Sequence, residues 1–167
     1  MICYHATDHD ITKFNLDWLN YGEHNFGLGI YFSDRNDNID FFMNENPNGN
    51  IYKVDTPDDT MVQWHSLCDK EKLYNFIHSY LSTFDILADK TEEIYNKYQN
   101  KNYLYIMCNL PWEIYKFMEE YKRMDDDYLK NYLINFVKYT GITSMFAQNG
   151  TFRNEVLILD VETIEIL

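Results

Sequence analysis

Three short runs hold residue types that could do chemistry together: Tyr4-His5-Ala6-Thr7 near the start, Gly27-Leu28-Gly29-Ile30-Tyr31-Phe32-Ser33-Asp34, and Asn154-Glu155-Val156-Leu157-Ile158-Leu159-Asp160 near the end. They offer an imidazole, a flat aromatic face and a carboxylate, each on a strand-like segment. A carboxylate held at a buried strand end stabilises positive charge developing on a sugar ring, as in glycoside hydrolysis. Aromatic faces orient a ring-shaped leaving group. The two glycines are not a dinucleotide loop, because Phe32 stands where that loop needs a third glycine.

The elements that must position these residues read as strands at both ends of the chain and helices between them. Residues 1–7 form a strand delivering His5 to its end. Residues 27–32 form a tight turn entering a second strand, and Asp34 or Asn36 caps a short helix carrying Ile39, Phe42 and Met43. Residues 51–54 alternate as a short strand, after a turn at residues 46–50. Residues 11–22 fit no single period.

In the middle, Leu73, Phe76, Ile77, Tyr80, Leu81 and Phe84 recur at helical steps. A weaker helix spans 86–98. Pro111 suits the first turn of a third, with Ile114, Phe117, Met118 and Tyr121 inward. Residues 125–139 form a fourth, with Asp125-Asp126-Asp127 at its start and Gly141 as its stop. Residues 142–146, a turn at Asn149-Gly150 and residues 153–159 read as a hairpin, and 164–167 as a last short strand. The class is α+β, one domain over 1–167 with a helical insertion at about 69–139.

Bulk properties narrow the function. The 167 residues carry a net charge of −13, which disfavours a broad phosphate-binding surface and so a nucleic-acid partner. The chain is 46% hydrophobic and 17% aromatic, as a globular domain with a full core should be. Cys3, Cys68 and Cys108 have neither disulfide nor metal-ligand spacing and read as free thiols in a reducing compartment. His5, His9, His24 and His65 are too widely spaced for a recognised zinc set, so no metal is expected. No signal peptide or membrane-length apolar run is visible, and a cytoplasmic or otherwise intracellular setting is expected. Asn149-Gly150-Thr151 reads as a turn, not a glycan acceptor.

In their order along the chain, the three runs resemble the catalytic domain of the ADP-ribosyltransferase superfamily. The resemblance is to its His-Tyr-Glu branch, which includes the poly(ADP-ribose) polymerases and diphtheria-toxin-like enzymes. It covers roughly residues 1–55 and 140–167. It implies a split core of two small, mostly antiparallel sheets around a cleft for NAD, here a substrate.

The resemblance also implies roles. His5 would hydrogen-bond a ribose hydroxyl. The backbone of Ala6, where many members have glycine, would hold the nicotinamide amide beside Thr7. Tyr31 would stack on nicotinamide, with Phe42, eleven residues on, as a second face. Glu155 would be the catalytic carboxylate. Ile39 and Asp40 depart from the polymerase pattern of a serine and a small neighbour. Ser33 and Phe14 are further candidates for ligand contact, each with a structural alternative as helix cap or core. Arg153 occupies the position that arginine-modifying relatives fill with an acidic or amide residue, which disfavours arginine as acceptor.

The expectation is therefore NAD-dependent mono-ADP-ribosylation of a macromolecular acceptor, with protein favoured over nucleic acid. The same residues would serve an NAD glycohydrolase that uses water. A non-catalytic NAD or ADP-ribose binding module is the third class.

Overall fold

The computed structural model describes residues 1–19, 28–34, 40, 43–120, 127–149 and 153–167. For Trp18, Gln148, Asn149, Arg153 and Asn154 it describes backbone only. The chain is α+β. Its strands are β1 (Ile2–Thr7), β2 (Ile30–Ser33), β3 (Asn50–Asp55), β4 (Met61–Gln63), β5 (Ser144–Asn149), β6 (Arg153–Ile158) and β7 (Glu165–Ile166). Between β4 and β5 lie the helices α1 (Lys70–Ser82), α2 (Ala88–Tyr98), α3 (Tyr103–Glu120) and α4 (Tyr128–Thr140).

The seven strands form one mixed sheet in the order β4-β5-β6-β2-β1-β3-β7. Only β4 and β5 run parallel; the other neighbours are antiparallel. The weak point is its middle. β1 pairs with β3 at every residue from Ile2 to Thr7, and β2 with β6 from Ile30 to Ser33, whereas β1 and β2 share one registered pair, Tyr4 with Ser33. That seam divides the sheet into a β7-β3-β1 group and a β2-β6-β5-β4 group.

The apolar run from Val156 to Leu159, which ends just past β6, is buried throughout because that strand lies inside the sheet with cover on both faces. The loop after β1 crosses β3: Ile11 donates its N–H to the Tyr52 hydroxyl at 2.6 Å, and Asn50 Nδ2 donates to Asp10 Oδ1 at 2.9 Å. A short 3-10 turn, Leu16–Trp18, replaces the ambiguous pattern of that region.

The helical block has its own core. Leu73, Phe76, Ile77, Tyr80 and Leu81 of α1 meet Tyr132, Leu133 and Phe136 of α4, all at most 2% exposed. Burying each such side chain stabilises the fold by about 1.5–3 kcal/mol. Asp69 caps α1 by accepting from the Lys72 N–H at 2.9 Å. Gly141 stops α4 in the left-handed region, at φ 67°. Residues 64–68 stitch this block to the sheet through Leu104 N–H to Trp64 C=O at 2.9 Å and Cys68 N–H to Lys101 C=O at 3.1 Å.

The third helix differs from its expected start. Pro111 does not open α3 but lies inside it, since the helix begins at Tyr103. Asn102 Oδ1 accepts from the Tyr105 N–H at 2.8 Å, which starts the helix two turns early. The proline is then held by tertiary packing, and its carbonyl accepts from the buried Tyr128 hydroxyl. The Gly150 turn, the helix-capping candidate Asn36, the helix-face residues Ile39 and Phe42, Tyr121, and the run's Asp125 and Asp126 lie outside the described residues. Asp127 stands at the start of α4 without a side-chain cap bond. Among the described residues, no helix is long and apolar enough to cross a membrane.

Gly29 sets the approach of β2 to β6. Its φ is 152°, and a Cβ there would lie 2.7 Å from Leu157 Cδ1 and 2.9 Å from the Ile158 carbonyl oxygen. Gly29→Ala is therefore expected to destabilise the fold by about 2 kcal/mol or more, combining backbone strain with overpacking. Urea unfolding measures this directly, and an unchanged midpoint would contradict the close approach.

Candidate active site

The motif strands, far apart in sequence, are consecutive neighbours: β6 carries Glu155, β2 carries Tyr31 and β1 carries His5. Ser33 stands directly opposite Glu155, and Tyr31 opposite Leu157. Side chains alternate along a strand, so Tyr31, Ser33 and Glu155 share one face. Tyr31 and Glu155 are then diagonal neighbours, with Cα atoms about 7–8 Å apart in such a ladder. All three are half-buried.

His5 arrives differently. Because Tyr4 is level with Ser33, His5 is level with Phe32, and its ring packs with that of Phe32 at 5.2 Å. Phe14 meets the imidazole edge-on at 5.3 Å and touches Phe32 and Tyr52 as well. The body of His5 thus belongs to the face opposite Tyr31 and Glu155. It reaches the seam through its edge, where Nδ1 lies 2.8 Å from the Tyr31 carbonyl oxygen.

That contact fixes the tautomer. A carbonyl only accepts, so Nδ1 carries the proton and Nε2 of the neutral ring is an acceptor. Burial lowers the imidazole below its usual 6.5, opposed by the bond to Tyr31, so the neutral form prevails near pH 7.

The seam also exposes backbone. The Thr56 N–H donates to the Met1 carbonyl at 3.0 Å, and the Leu167 N–H to the Lys53 carbonyl at 3.0 Å. These bonds set the phase of the ladders: alternate residues Ile2, Tyr4 and Ala6 turn their N–H and C=O away from β3, toward β2. Registered pairing ends at Tyr4, and the His5 side chain takes the Tyr31 carbonyl that Ala6 would meet in a continued ladder. Ala6 therefore directs its N–H and C=O toward β2, beyond the last registered pair.

The remaining candidates are placed as follows. Thr7 is half-buried, and its hydroxyl accepts from the His9 N–H at 3.3 Å. Phe14 is 4% exposed and backs the imidazole. Phe42 lies outside the described residues; Asp40 is helical and exposed. Arg153 pairs with Asn149 in the backbone of β6. Tyr4 escaped the sequence reading, although its register with Ser33 puts it on the face of Glu155. Its position next to His5 was visible; the register that assigns its face was not.

Other chemistries find less. Burial pushes the Cys3 and Cys68 thiols up to about 12, and raises that of Cys108, so none is a ready nucleophile. Among the described residues, no group of three His, Cys, Asp or Glu side chains is placed to hold a metal ion. No protein-family model, curated protein or solved structure matches the chain.

The depressed imidazole makes a prediction with a definite sign. The unfolded chain binds a proton at His5 near pH 6.5 and the folded chain only lower, so stability falls as pH drops through 6.5 toward the folded midpoint. Asparagine can donate to the same carbonyl without titrating. His5→Asn is expected to lose this acid-sensitive component when urea unfolding is compared at neutral and mildly acidic pH. A His5 resonance titrating at or above 6.5 would contradict the assignment.

Proposed function

We propose that this protein is an NAD-dependent mono-ADP-ribosyltransferase with a split-sheet catalytic core, transferring ADP-ribose to a macromolecular acceptor. The observation that carries the reading is the adjacency of β6, β2 and β1, which gathers Glu155, Tyr31, Ser33 and the seam edge of His5 from opposite ends of the chain. The single registered pair between two strand groups supports a cleft at that seam.

The chemistry follows from the groups. Tyr31 offers an aromatic face for nicotinamide, and Ala6 a backbone donor and acceptor suited to its amide. The neutral His5 ring holds the Tyr31 carbonyl through Nδ1 and keeps Nε2 as an acceptor. When the bond from C1′ to the nicotinamide nitrogen breaks, its electron pair leaves with nicotinamide and the ribose takes up positive charge. The Glu155 carboxylate stabilises that charge and orients the acceptor nucleophile or takes its proton. The step needs no metal.

A protein acceptor suits the acidic balance of −13 better than nucleic acid does. The three free cysteines are in keeping with an intracellular setting.

Incubation with NAD labelled on its adenosine portion, alone and in lysate, tests the reading. Label on a macromolecule is expected, with release of nicotinamide in equal amount. Glu155→Gln should reduce that release about 100- to 1000-fold, as loss of a charge-stabilising group does. Free ADP-ribose as the sole product would make the protein a glycohydrolase. Unchanged turnover in Glu155→Gln would overturn the mechanism.

A further inference from the structure

The strap from Asp8 to Phe14 leaves the end of β1 and returns over the sheet face that carries His5 and Tyr52, a directly opposed pair of β1 and β3. Two side chains of β3 grip its middle. The Tyr52 hydroxyl accepts from the Ile11 N–H at 2.6 Å and donates to the His9 carbonyl at 3.4 Å. Asn50 Nδ2 donates to Asp10 Oδ1 at 2.9 Å and to the same His9 carbonyl at 3.5 Å. Asn50 and Tyr52 are two apart on one strand, so both project from this face.

Three residues past Ile11, Phe14 seats against the imidazole. Its ring meets His5 edge-on at 5.3 Å, with 89° between the planes, and also touches Phe32 and Tyr52. Asp8, His9 and Asp10 are exposed, whereas Phe14 is buried. The outer strap thus has little packing of its own, and the Tyr52 hydroxyl, used as both donor and acceptor, holds it to the sheet. The groups around the imidazole are Phe14 from the strap, Phe32 and the Tyr31 carbonyl from β2, and Tyr52 opposite on β3; no carboxylate or ammonium is among them.

We propose that Tyr52 is a positioning residue for His5: its hydroxyl pins residues 9–11, and the pinned strap seats Phe14 against the imidazole. Its bearing on catalysis rests on the reading of His5 as part of the NAD site.

Nitrogen-15 NMR of the imidazole in three variants tests it. Tyr52→Phe keeps the ring and removes only the hydroxyl. With the strap released, Phe14 shields the imidazole less, and the His5 midpoint should rise from its lowered value toward 6.5. Phe14→Leu keeps an apolar side chain, removes the ring and should raise the midpoint at least as far. In the double variant the second change should add nothing, because hydroxyl and ring act along one path. In nicotinamide release, Tyr52→Phe should lower kcat/KM about three- to tenfold, the size of one weakened hydrogen bond.

An unmoved His5 midpoint in Tyr52→Phe overturns the proposal. So do midpoint rises that add in the double variant, and an unchanged kcat/KM beside an active wild type. If the wild type leaves NAD intact while the midpoint still rises, the transferase reading fails and the positioning of His5 stands.

Discussion

The hydrogen bond from His5 Nδ1 to the Tyr31 carbonyl decides what the middle of the sheet becomes. A continued β1–β2 ladder would pair Ala6 with Tyr31. Here a side chain occupies the acceptor, and registered pairing stops at Tyr4 and Ser33. The same bond sets the imidazole tautomer and so the hydrogen-bonding character of Nε2. Phe14 and Phe32 hold the ring in place, and burial among them keeps it neutral.

Around that seam the fold divides labour. β2 and β6 form a continuous ladder, tightened by Gly29, which places Ser33 directly opposite Glu155. The helical block contributes no residue to the motif strands. It supplies an aromatic core around Phe76, Tyr80, Tyr132 and Phe136, tied to the sheet through residues 64–68. The aromatic core and the motif residues thus lie in different parts of the chain.

Much of this was legible in the sequence, and the exceptions share a cause. Helical faces such as Leu73, Phe76, Ile77, Tyr80 and Leu81 follow from spacing alone, because an amphipathic helix writes its own period. β1, β3 and the buried β6 likewise show in local pattern. β4 did not, because it is a three-residue strand whose partner, β5, lies some eighty residues on. The start of α3 was misplaced because a proline suits a helix's first turn, while the Asn102 cap that sets the true start is a weaker local signal.

The site divides in the same way. Residue types at His5, Tyr31 and Glu155 could be read directly, and so could their expected company. Which face each occupies could not, since a one-residue change of register moves every side chain of a strand to the other side. The pairing of Tyr4 with Ser33 assigns Tyr4 to the face of Glu155 and the body of His5 to the opposite one.

We propose that nicotinamide binds at the β1–β2 seam. Titrating nicotinamide into isotopically labelled protein and mapping amide chemical shifts tests it most directly. Shifts concentrated at Ala6, Thr7, Tyr31, Ser33 and Glu155 are the predicted result. Shifts absent from these residues, or confined to the helical block, would place the ligand elsewhere.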